Sequence, residues 1–206
     1  MEALSPADAR TFLDIASGDR LEALYVLALT TGMRQGELLG LRWRHIDLGG
    51  KTVRVSGALQ RTAEGFVIAK PKTTRSRRQV ALTSSAVNSL TRHRVAQTEE
   101  RLRLGAAWQD LDLVFANEVG GFIAEWNLRR QSFLPLLRKA GLPVIRFHDL
   151  RHTAATLMLG RGVHPKVVAE MLGHSQISIT LDLYRHVTPT MQQQATEALD
   201  AVLGQR

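Results

Sequence analysis

The sequence predicts a mainly α fold with a small antiparallel β-sheet, an α+β arrangement. Three observations carry that expectation. Apolar residues recur at helical spacing, as at Leu21, Leu24, Tyr25, Leu27 and Ala28. From Trp43 to Leu82 the period shortens to alternation. Start and stop signals bracket the periodic stretches, with Ser5-Pro6, Thr83-Ser84-Ser85 and His164-Pro165 at beginnings and Gly18, Gly32, Gly141 and Gly173 at ends.

Ser5 is an N-cap with Pro6 at the first helical position, which predicts a helix to about Ser17. A second helix runs from Arg20 to Thr30 and stops at Thr31-Gly32; a short one follows from Gln35 to Leu41, leaving Arg34 on the turn between them. Residues 51–55, 65–69 and 78–82 read as strands of a sheet of about three, the last two joined by a basic hairpin with Lys72 at its base. A long helix spans 84 to about 104, and 113–115 is a short strand or extended core segment. Helices are then expected at 126–140, 148–159, 165–172 and 178–186, with a last one from Pro189. No repeat, low-complexity tract or linker interrupts the chain.

A length of 206 residues fits one domain able to bury a sizeable core. Hydrophobic and charged contents of 44% and 22% are those of a globular protein, and no apolar run reaches the length of a membrane span. The absence of cysteine rules out disulfides and thiolate metal sites. A formal net charge of +8 suits a polyanionic partner or a merely solubilising surface. Clustering favours the partner, because Lys70, Lys72, Arg75, Arg77 and Arg78 crowd one segment and Arg129, Arg130, Arg138 and Lys139 another.

His148, Arg151 and His152 stand at i, i+3 and i+4, so they can share one helix face. His148 and His152 have the spacing of a zinc pair, but no catalytic Glu lies between them and Arg151 would repel a cation. A phosphate suits the group better: Arg151 supplies a planar fork for two oxygens and His148 a proton acceptor, with His152 as a packing residue. Arg34 would add a second fork against the charge that builds on a pentavalent phosphorus. Glu37, one turn on, can orient Arg34 or be a surface carboxylate. Lys72 can act as a general acid, with Lys70 its rival. Tyr184 is one of two tyrosines; the other, Tyr25, lies in an apolar stripe and reads as core. A free phenol at neutral pH is short of ionisation by about 4 kcal/mol, which a nest of positive charge can offset.

These residues lie in Thr31-Gly32-Met33-Arg34-Gln35-Gly36-Glu37, Pro71-Lys72-Thr73, His148-Asp149-Leu150-Arg151-His152 and Leu172-Gly173-His174-Ser175 through to Tyr184-Arg185-His186. Together, over roughly Leu4 to Ala201, they make the chain resemble the catalytic domain of a tyrosine recombinase, the phage integrase family. The resemblance implies that fold and a site-specific recombinase or integrase. Tyr184 would attack a scissile phosphate to give a 3′-phosphotyrosyl link and a free 5′-hydroxyl. Arg34, Arg151 and His174 would hold the phosphate, Lys72 would protonate the leaving oxygen, His148 would take the tyrosine proton, and Glu37 would support the site. No metal, cofactor or ATP is implied.

The implied partners are double-stranded DNA and further copies of the chain, as a tetramer on DNA, in a bacterial or phage-encoded protein of the cytoplasm associated with the nucleoid; no membrane is implied. Residues 1–206 would form a single catalytic domain, with residues 188–203 as a tail helix docking on a neighbouring subunit or folding back. The family's N-terminal core-binding domain has no counterpart in the sequence, so a truncated protein is expected. Two rival readings are a DNA-binding module without catalysis and a type IB topoisomerase.

Overall fold

Ser5 sets the start of the first helix by a reciprocal cap. Its Oγ accepts from the Asp8 amide at 3.1 Å and the Asp8 carboxylate accepts from the Ser5 amide at 3.3 Å. The computed structural model describes residues 3–69 and 77–174, together with residues 176, 178, 180, 181, 196, 200, 203 and 204. Helix α1 spans Pro6–Ala16. Helix α2, Glu22–Thr31, is apolar on nearly every side and is buried accordingly, with Leu24 and Leu27 fully enclosed. Gly32 ends it at φ 63°, a left-handed turn that suits a residue without a Cβ.

The short α3, Gln35–Leu39, and its cap Gly40 present two glycines to the strand at residues 58–62. A Cβ on Gly36 would lie 2.9 Å from the Leu59 carbonyl oxygen, and one on Gly40 2.9 Å from the Leu59 amide nitrogen. Backbone therefore rests directly on helix. A 3-10 turn at Trp43–His45 leads into β1 (Ile46–Asp47) and β2 (Thr52–Val55). Three strands follow or close the region: β3 at Ala58–Thr62, β4 at Gly65–Ala69 and β5 at Arg78–Ala81.

The strands do not form the single sheet the sequence suggests. β1, β2 and β5 make one antiparallel sheet in that order, and β3 with β4 makes a separate two-stranded hairpin. Residues 65–69 pair backward with 58–62 rather than forward with 78–81. Two observations account for this. Thr62 faces Gly65 across a two-residue turn, and Gly57 admits Ile68, whose Cγ2 would lie 2.6 Å from a Cβ there. β3 escapes a reading of alternation because Leu59 is its one buried side chain, the stretch from Gln60 to Thr62 being exposed. The basic segment 70–76, including Lys72, lies outside the described residues.

Helix α4, Ser84–Leu104, is capped by Thr83, whose Oγ1 accepts from the Ala86 amide at 3.2 Å. Its buried His93 and Gln97 hold the extended segment at Leu113 and Val114: His93 Nε2 lies 2.6 Å from the Val114 carbonyl, and Gln97 donates to both carbonyls. The helix expected at 126–140 occupies Glu125–Lys139 and is not uniform. Between α5 (Glu125–Asn127) and α6 (Leu134–Lys139) lies a wider π turn, Leu128–Phe133. Pro135 explains it, since its ring has no amide hydrogen to give and crowds the carbonyl four residues back. Helices α7 (Asp149–Gly160) and α8 (Pro165–Leu172) complete the described core, and Gly173 ends α8 at φ 67°. The helices expected at 178–186 and from Pro189, with the tail at 188–203, lie for the most part outside the described residues.

Phe12, Tyr25, Phe133 and Phe147 form the aromatic centre, with ring centroids 5.2 to 6.3 Å apart. Tyr25 is fully buried, its hydroxyl 2.6 Å from Ser132 Oγ, so it is the core residue its stripe suggested. No described helix is long and apolar enough to cross a membrane. Phe133→Ala should lower unfolding free energy by about 3 to 5 kcal/mol and Tyr25→Phe by about 1 kcal/mol, measured by denaturant titration.

Candidate active site

Glu37 is the centre around which the polar side chains assemble. It sits at the third position of α3, so its carboxylate reaches back to the Arg34 amide at 2.8 Å, while Oε1 also accepts from Arg34 Nη1 at 2.9 Å. Arg78, the first residue of β5, meets the same carboxylate with both ends of its fork, at 3.0 and 2.9 Å. Glu37 is 5% exposed. Burial alone would raise its pKa, but the Arg78 fork, with Arg34 behind it, holds the carboxyl below its usual range.

Both left-handed glycine turns lend carbonyls to arginines. Arg34 Nη2 donates to the Gly173 carbonyl at 3.1 Å, and Arg151 Nη1 donates to the Gly32 carbonyl at 2.7 Å. The two turns pack together, since a Cβ on Gly32 would lie 2.3 Å from Leu172 Cδ2. The chain ends of α2 and α8 thereby bring Arg34, Arg151 and His174 into one neighbourhood.

Arg151 is 5% exposed, and its Nη2 is buried with no hydrogen-bond partner among the described residues. Burial, then the charge of Arg34, with Arg78 adding to it, pushes its pKa down to about 9, against the opposing pull of Glu37. It still carries a full charge at neutral pH. His174 is half-buried, with Nδ1 2.8 Å from Thr180 Oγ1, leaving Nε2 as the nitrogen available to a ligand. Burial and the charges of Arg151 and Arg34 push it down to about 4. His148 precedes α7 and is exposed; its ring lies 5.2 Å from that of His152, edge to face. Partial desolvation, then His152 and Arg151, lowers its pKa, so it is a neutral base at pH 7. Asp149, between these residues, is taken up by Arg146, which donates to it from the backbone at 2.9 Å and from Nη2 at 2.8 Å.

Of the residues singled out in the sequence, Arg34, Glu37, Arg151 and His174 come together, and His148 stands one turn before Arg151. Lys72 and Tyr184 lie outside the described residues. The other tyrosine is no competitor, because burial raises the Tyr25 pKa. His148 and His152 belong to no cluster of metal-ligating residues among the described residues. Arg78 is the site residue that motif reading passed over. A signal existed: Arg78 shares the inward face of β5 with the buried Val80, whereas Gln79 and Ala81 point out. An arginine at an inward strand position requires a buried partner.

Chemically, two guanidiniums share one carboxylate, and a third, Arg151, ends in a buried donor without a partner among the described residues. Such an arrangement favours a tetrahedral or trigonal oxyanion. The profile of the phage integrase family matches residues 2–191. A XerC-like tyrosine recombinase of Caldanaerobacter subterraneus subsp. tengcongensis is 39% identical over 216 residues, covering 97% of this chain and 54% of its own length. An integrase of Streptomyces ambofaciens is 32% identical, over 93% of this chain and 51% of its own. The chain thus spans about half the length of the curated relatives it matches. Among solved structures, the Tn1549 transposon integrase in complex with circular intermediate DNA matches with a TM-score of 0.80 at 25% identity, covering 96% of this chain and 67% of that one. By sequence and by fold, this chain belongs to the phage integrase family of tyrosine recombinases.

Proposed function

We propose that this chain is the catalytic domain of a site-specific recombinase or integrase, cutting and rejoining double-stranded DNA through a covalent 3′-phosphotyrosyl intermediate. The observation that carries the reading is the buried Nη2 of Arg151, beside Arg34 and His174 and without a partner among the described residues. An orphaned buried donor costs about 1 to 3 kcal/mol, more when charged. A non-bridging phosphate oxygen satisfies it.

In the proposed reaction the Tyr184 hydroxyl attacks the scissile phosphorus and its proton passes to His148. The bond to the 5′-oxygen breaks, and Lys72 gives that oxygen a proton. Arg34 and Arg151 take the non-bridging oxygens through their free donors, and His174 Nε2 joins them, so the charge that builds in the transition state meets fixed donors. Glu37 orients Arg34. The 5′-hydroxyl of a partner strand then attacks the phosphotyrosine and releases Tyr184, conserving one phosphodiester per exchange. Several copies, a tetramer on DNA, align the strands, with residues 188–203 reaching a neighbour. The exchange takes place on the chromosome in the cytoplasm. The domain spans residues 1–206.

A duplex carrying the end sequence of the element that encodes the chain, nicked beside the scissile phosphate, tests this. The unaltered chain should form a covalent adduct and Tyr184→Phe none; an adduct with Tyr184→Phe removes Tyr184 as nucleophile. Arg151→Ala should slow adduct formation by about 100- to 1000-fold while DNA affinity falls far less, because many other basic contacts carry binding. Parallel loss of both would reduce Arg151 to a binding contact. His93, His148, His152 and His174 all have folded pKa values below the ordinary histidine value of about 6.5. Their neutral forms are favoured in the folded state, so stability is complete above that pH and declines as pH falls, for His174 down to about 4. Thermal unfolding at pH 5 should therefore occur at lower temperature than at pH 7.5. Inorganic phosphate should restore part of the loss in the unaltered chain and little of it in Arg151→Ala.

A further inference from the structure

Arg78 differs from the other two arginines of the site in what it leaves free. Arg34 is 40% exposed at its side chain, and Arg151 keeps Nη2 without a partner among the described residues. The Arg78 side chain is 7% exposed, and all three of its nitrogens are engaged. Nε donates to the Met171 carbonyl at 2.6 Å, in the last turn of α8, while Nη1 and Nη2 grip the Glu37 carboxylate. With each nitrogen engaged and the side chain buried, Arg78 is turned toward the protein rather than toward a substrate oxygen.

The guanidinium also forms a wall of the Gly173 turn. A Cβ on Gly173 would lie 2.9 Å from Arg78 Nη1 and 3.2 Å from both Cδ and Cζ. Gly173 in turn gives its carbonyl to Arg34, and His174 follows it directly. One side chain from β5 thus touches, on one side, the carboxylate that orients Arg34 and, on the other, the turn that delivers His174.

We infer that Arg78 is a positioning residue, which locks the α3 turn bearing Arg34 to the α8 turn bearing His174 so that both address one phosphate. The inference rests on the phosphate-binding role proposed above for those two residues. Its geometry depends on arginine in particular. A lysine keeps the charge but offers a single nitrogen, which cannot span both Glu37 oxygens and the Met171 carbonyl at once. Removing the anchor lets the Gly173 turn drift, and a displacement of about an ångström at a reacting group is enough to cost about 100-fold in rate.

Arg78→Lys is the variant of choice, because it leaves Glu37 with a buried cation. In it, NMR titration should show His174 moving up toward the ordinary histidine value of about 6.5, as the turn opens to solvent, with His152 unmoved. A general loss of stability would not shift one imidazole and spare its neighbour. On the nicked duplex, adduct formation should fall by about 100-fold while the dissociation constant for that DNA changes by less than about threefold. Unchanged His174 titration together with an unchanged rate overturns the inference, as does a rate loss matched by loss of DNA affinity. If the unaltered chain forms no adduct, the proposed function fails, and the His174 titration still decides the role of Arg78. Should Arg78→Lys not fold, hydrogen exchange of the Arg78 Nε–H in the unaltered chain decides: slow exchange supports the lock, and exchange as fast as in an exposed arginine refutes it.

Discussion

The Glu37 carboxylate accepts four hydrogen bonds from two arginines, and through them α3, β5 and the end of α8 hold a common geometry. Its position is a matter of local chemistry before it is one of tertiary structure. A glutamate at the third residue of a helix naturally folds back on the capping amide. The short α3 carries that carboxylate into the interior, at 5% exposure, where water cannot compete. Buried and charged, it must be matched, and removing one partner of such a pair costs about 3 to 5 kcal/mol. The arginines are thus fixed by a requirement of folding, and their free ends are fixed with them.

Arg151 follows a different logic. Its Nη1 is satisfied by a backbone carbonyl and its Nη2 by nothing among the described residues. It also faces two like charges. As a folded-state element it is unfavourable, and the aromatic centre and the apolar α2 supply the stability that offsets it. On the proposed reading this discomfort is the source of transition-state preference, since donors held without partners bind best where negative charge appears. The low pKa of His174 belongs to the same balance: burial first, then the guanidiniums of Arg151 and Arg34, keep its imidazole neutral.

Much of this was legible in the residues. Helix ends were readable because their signals are local: Ser5 with Pro6, Thr83, and His164 with Pro165 at starts, Gly32 and Gly173 at ends. The same blocks held Arg34, Glu37, Arg151 and His174, whose sequence spacing sets them on turns and first helical turns. Three features were not legible. β3 has one buried side chain, so its pairing is decided by glycines on α3 and in its own approach rather than by its pattern. The π turn arises from Pro135 acting on a carbonyl four residues away, inside a stretch whose apolar spacing looks regular. Arg78 sits in a run of basic residues, and only its strand face, visible once Val80 is known to be buried, sets it apart from neighbours that face solvent.

The contact between α3 and β3 carries a consequence for how the protein can change. Gly36 and Gly40 act as a spacer of zero thickness, so any side chain added to either lifts the hairpin and tilts the helix that carries Arg34. The opposite end of the hairpin, at Ala63 and Glu64, is exposed and bears no such constraint. Variation should therefore be tolerated in a gradient along about 15 Å of β-ribbon, free at the tip and forbidden at the root. A peptide grafted at the tip would leave the site's alignment intact, while a single methyl group at the root would not.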